Sequence, residues 1–135
     1  MSALTLAVVA LLVGGCGPVR IGVVDSQRIL NESVRALSYQ QRLNEREKAM
    51  AVDLQLLQGA LPPAEFEARR TQFLKELQQM KAELENRLNQ EIRDTVGQIV
   101  KEQGLRSAVI VKNPVVFASP GRTLDITDEV IARLR

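Results

Sequence analysis

The chain has 135 residues, with 18 basic and 16 acidic side chains, no histidine, no tryptophan and a single cysteine. That length holds one domain; the missing histidines remove the commonest general acid/base and metal-ligating side chain, and one cysteine excludes an internal disulfide. Only Tyr39, Phe66, Phe73 and Phe117 supply aromatic volume, so the chain is expected either to be extended or to bury its apolar surface against other subunits.

Residues 3–13 (ALTLAVVALLV) are apolar apart from Thr5 and lead through Gly14 and Gly15 to Cys16. The run is well short of the roughly 20 residues a membrane-spanning helix needs. It fits the apolar region of a secretory signal, which ends at small residues. The tetrapeptide Val13-Gly14-Gly15-Cys16 resembles the lipobox of bacterial lipoproteins. That resemblance implies a signal peptide at residues 1–15, a mature chain beginning at Cys16, acylation of that cysteine, and a lipid-anchored location in the bacterial envelope facing the periplasm. Gly17 is not the aspartate linked to inner-membrane retention, which favours the outer membrane.

Residues 20–24 (RIGVV) read as a short strand, after which Asp25 or Ser26 offers a helix-capping oxygen. No glycine or proline interrupts residues 27–58, so one helix is expected there. Gly59, Pro62 and Pro63 then end that helix and begin another, expected over residues 64–103 and closed by Gly104. The second helix carries an apolar stripe of Phe73, Leu77, Met80, Leu84, Leu88, Ile92, Val96 and Ile99. Its mean step of about 3.7 residues exceeds the 3.5 of a heptad seam and favours a straight helix over a coiled coil. Two helices of roughly 32 and 40 residues with a tight connection must lie antiparallel. They make a rod of about 50 to 60 Å, too thin to enclose a catalytic pocket, and no catalytic, metal-binding or cofactor-binding residues are expected.

The rod's charges fall at four-residue spacing: Arg28 with Glu32, Glu65 with Arg69, Lys81 with Glu85, Glu83 with Arg87, and Arg87 with Glu91. This is the signature of a solvated, self-paired helix surface. Residues 26–103 contain twelve basic and twelve acidic residues, so the small positive excess belongs to the ends of the chain. Neither nucleic-acid binding nor polybasic membrane attachment is expected.

Residues 105–111 and 115–118 read as a hairpin turning through residues 112–114, and the fold-back of the rod brings the first strand beside them. Three short strands make a poor independent sheet. Their consecutive apolar residues suggest burial on both faces, and open edges invite aggregation. Pooling strands from several subunits into a closed barrel removes both problems, with Ile21, Val23, Val109, Val111, Val115 and Phe117 as the oligomer body. A terminal helix capped by Thr127, with Asp128 and Glu129 in its first turn, is expected to cover the outside with Val130, Ile131 and Leu134.

The succession of IGVVD, a long helical hairpin, and LRSAVIVKNPVVFASPGRTLDITDEVIARL resembles the Skp (OmpH-like) family of periplasmic chaperones, most specifically in the closing DITDEVI. The resemblance spans residues 19–135. It implies an α+β fold: a long antiparallel helical hairpin, or tentacle (residues 26–103), on a small β-barrel body assembled from three chains (residues 19–25 and 105–135). The function it implies is that of an ATP-independent holdase for unfolded outer-membrane proteins, working as a homotrimer without a cofactor and held at the membrane through Cys16. Leu54, Leu56, Leu57, Phe66, Phe73 and Met80 are then candidates for client contact, each with helix-to-helix packing as the competing role. The rod's neutrality departs from the basic tentacles of the better-known members. The alternative function is a structural or adaptor lipoprotein of the envelope, built on the same trimeric rod.

Overall fold

The computed structural model describes residues 17–112 and 121–135. Cys16 and the strand expected at residues 115–118, with Val115 and Phe117, lie outside the described residues. Strand β1 is Ile21–Asp25, followed by helices α1 (Ser26–Glu32), α2 (Val34–Leu57) and α3 (Pro63–Glu102). Strands β2 (Ser107–Val111) and β3 (Thr123–Asp125) and helix α4 (Thr127–Arg133) complete the order. The protein is mostly helical with a three-stranded sheet at one end. No helix among the described residues is long and apolar enough to cross a membrane.

Asp25 caps α1 as expected: its carboxylate accepts from the backbone N–H groups of Gln27 and Arg28 at 2.9 and 3.2 Å. The single helix expected over residues 27–58 is broken at Ser33. This residue has extended backbone (φ −77°, ψ 135°), donates its N–H to the Ile29 carbonyl, and caps α2 by accepting from Ala36 N–H. A second orphan N–H at the start of α2, that of Arg35, donates to the Leu134 carbonyl at 3.1 Å. The break therefore needs neither glycine nor proline, because the serine hydroxyl and the end of the chain together satisfy the freed backbone groups.

The connection at the rod's tip is as expected, with Pro63 opening α3 and Gly59 at φ +84° beyond the end of α2. α3 closes in a Schellman motif: Gly104 at φ +63° donates to the Lys101 carbonyl and Leu105 N–H to that of Val100. The apolar stripe of α3 faces the core: Phe73, Leu84, Leu88, Ile92, Val96 and Ile99 are buried, with Leu77 and Met80 half-buried.

The hairpin partner expected for β2 lies outside the described residues, and a strand the sequence did not suggest, β3, joins the sheet that is described. Its order is β2-β1-β3, and both pairs are parallel, Ile21 lying opposite Ser107 on one side and opposite Thr123 on the other. The first pairing follows from the fold-back of the rod, which delivers β2 beside β1 running the same way. β3 is only three residues long, too short to register as a strand in the sequence pattern.

Gly22 and Val24 point to the face covered by helices, where a side chain at Gly22 would meet Leu105, Ala108 and Ile126 at 3.1 to 3.2 Å. The core lies here, with Val24, Ile29, Tyr39, Ile92, Val96, Ile99, Leu105, Ile126, Val130 and Leu134 in one cluster. α4 contributes Val130 and Leu134 as expected, but Thr127 is its first helical residue, not its cap. The capping acceptor is Asp125, whose carboxylate takes the Thr127 N–H at 2.9 Å.

Candidate functional site

Two surfaces are left without a partner among the described residues. The first is the sheet face opposite the helices. Side chains alternate along a strand and parallel neighbours in register share a face, so Ile21, Val23, Val109 and Val111 stand together on it. Ile21 and Val109 are 36% and 49% exposed, and Val23 and Val111 are half-buried. These are four of the six residues assigned to the oligomer body, and the fold brings them side by side. Among the described residues β2 and β3 are both edge strands, so one face of the sheet and its two outer hydrogen-bonding edges have no partner there.

The rim of this face is rigidly built. Thr127, fully buried, accepts the Asp25 N–H on its hydroxyl at 2.9 Å and donates to the Asp125 carboxylate at 2.6 Å. That one hydroxyl ties the ends of β1 and β3 and the starts of α1 and α4 together. Arg28 forks onto both carboxylate oxygens of Glu32 at 2.9 Å and reaches Asp128 at 2.8 Å, joining α1 to α4. The hydrogen bond from Arg28 holds the Glu32 carboxyl below its ordinary range, and those from Glu32 and Asp128 push the guanidinium further up. Glu102 is likewise lowered, by its hydrogen bond from Arg133.

The second surface is the distal rod. Among the client-contact candidates, Leu56 is 72% exposed and Leu54, Leu57, Phe66 and Met80 are half-buried. Phe73 is buried, as is Met50 on the facing helix; the Arg69 guanidinium lies over the Phe73 ring at 5.2 Å. Phe73 is thus packed within the hairpin, while Leu56 is open. The structure adds Val52 and Leu74, 54% and 55% exposed. Both lie off the main apolar stripe, and Val52 stands four residues from Leu56 on one face of α2, the spacing that could have found it.

Nearer the sheet, Leu30, Val34 and Leu37 are also exposed. Leu30 lines a shallow groove of about 360 Å³ with Tyr39, Leu43, Leu84 and Leu88.

Of the expected ion pairs, Arg28–Glu32, Lys81–Glu85 and Glu83–Arg87 form. Glu91 instead faces α2, accepting from the Tyr39 hydroxyl at 2.8 Å. Arg35 Nε stands 3.4 Å from its other oxygen, in ion-pair range but without hydrogen-bond geometry. Burial, and then the hydrogen bond to Glu91, push the Tyr39 phenol up from its ordinary value.

A family model described as outer membrane protein (OmpH-like) matches residues 63–134, from the start of α3 through α4. No curated protein matches the chain.

Proposed function

The chain belongs to the OmpH-like outer membrane protein family, and from that premise we propose that it is an ATP-independent holdase of the bacterial envelope. Three copies join through their sheets, and their rods shelter unfolded outer-membrane proteins against aggregation. All-parallel sheets are stable almost only with both faces covered. Here α3 and α4 cover one face, and the face bearing Ile21, Val23, Val109 and Val111 needs a cover of the same apolar character. Copies of the same sheet supply it, and they close the edges of β2 and β3 that have no partner among the described residues. Burying one aliphatic side chain contributes about 1.5 to 3 kcal/mol, so four per chain are enough to matter for association.

The observation that carries the holdase reading is the scatter of large apolar side chains left open on the distal rod, Val52, Leu56 and Leu74. Contacts of this kind are individually weak and numerous, so a client is held without a deep pocket and released without an energy source. An acyl group on Cys16 would hold the assembly at the membrane.

The test is light scattering from a denaturant-diluted outer-membrane β-barrel protein. Stoichiometric amounts of the trimer suppress its aggregation, and the double variant Leu56→Glu/Leu74→Glu suppresses it several-fold less. Unchanged scattering with the unsubstituted protein would instead favour the structural or adaptor lipoprotein.

A further inference from the structure

The parallel register has a consequence for charge. β1, β2 and β3 start at Ile21, Ser107 and Thr123, which lie opposite one another, and the residue before each is an arginine: Arg20, Arg106 and Arg122. The backbone links them, Arg106 N–H donating to the Arg20 carbonyl at 3.1 Å and Ile21 N–H to that of Arg122 at 2.9 Å. Neighbouring strands are about 5 Å apart, so three arginines from distant parts of the sequence form one row across the end of the sheet.

All three are exposed, and none makes an ion pair among the described residues. The strands' own acids stand at the opposite end, where Asp25 closes β1 and Asp125 closes β3. On α3 and α4, Glu102 and Glu129 are both engaged by Arg133. The rod is neutral, so the positive character of the protein is concentrated at this end.

We propose that this arginine row is a docking surface for the anionic phosphates of a phospholipid bilayer, holding the sheet against the membrane with the rod directed away from it. The chain's one strongly apolar segment, residues 3–13, and Cys16 directly precede the row, with only residues 17–19 between Cys16 and Arg20. Whatever places that segment or an acyl group in a bilayer brings the arginines to the headgroups. A basic patch is a recognised second signal beside an acyl anchor. Pairing at the outer edges of β2 and β3 is lateral, so assembly of that kind leaves the strand starts open. The guanidinium fork also suits phosphate oxygens.

The test is sedimentation of the full chain carrying Cys16→Ser, so that no acyl group contributes, with vesicles of phosphatidylcholine alone or mixed with phosphatidylglycerol. At low salt the anionic vesicles are preferred by about a hundredfold per chain, and the preference falls steeply with added salt. Arg20→Gln/Arg106→Gln/Arg122→Gln brings it near unity, whereas the corresponding triple lysine variant keeps it. Arg42→Gln/Lys48→Gln/Lys75→Gln, which removes the same charge from the rod, also keeps it.

No preference in the starting protein, an equal loss in the rod variant, or tighter binding to a nucleic-acid duplex than to the anionic vesicles would overturn the proposal. The readout involves no client protein, so it stands or falls separately from holdase activity.

Discussion

Thr127 is the residue on which the junction of sheet and helices turns, because its buried hydroxyl is both the acceptor for Asp25 N–H and the donor to Asp125. Thr127→Val keeps the shape and leaves that backbone donor buried without a partner, so it should cost about 1 to 3 kcal/mol. Thr127→Ser should cost well under that, and urea unfolding of the two variants measures the difference.

Tyr39 offers a second test, since it is the only tyrosine and there is no tryptophan, so phenolate absorbance reads one group. Its native midpoint should lie above the ordinary value of 10.0, and Glu91→Gln should bring it part of the way back. The neutral phenol's contribution to stability is complete below the unfolded midpoint near pH 10. It is lost as pH rises through the higher folded value.

Little of this was legible in the sequence. Asp25 stood out as a cap because a polar residue separates a strand pattern from a helix pattern. The Thr127 network joins residues 102 apart, and Glu91 chooses Tyr39 across the hairpin over Arg87 on its own helix.

At the scale of elements, α3 was readable almost to the residue, because its stripe, its opening proline and its closing glycine all agree. Gly104 sits at φ +63° with open space around the position of a Cβ. Gly104→Ala should therefore destabilise by about 1 kcal/mol through backbone strain alone. Gly97, inside α3 and equally open, should give the opposite sign: Gly97→Ala should stabilise by roughly 0.5 to 1 kcal/mol. Thermal unfolding of the pair distinguishes the two effects.

The break at Ser33 was not legible. A serine inside a helical pattern is ordinary, and its capping role depends on the Leu134 carbonyl arriving from the other end of the chain. β3 was not legible either, since its three residues carry no period, and the parallel pairing of β1 with β2 is set by the rod's return.

For the whole molecule, the sequence pattern carried the rod, but it could not say which face of the sheet the chain covers for itself. The helices take the face of Gly22 and Val24, and the face of Ile21, Val23, Val109 and Val111 is left uncovered among the described residues. Val109→Asp places a charge on that open face without touching the core cluster, so the chain should keep its helical circular dichroism and lose self-association. The most direct test is the solution mass of residues 17–135 at micromolar concentration, by sedimentation equilibrium. Assembly through the open sheet face gives three times the chain mass, falling to one in Val109→Asp; a folded species with the mass of a single chain before any substitution would contradict such assembly.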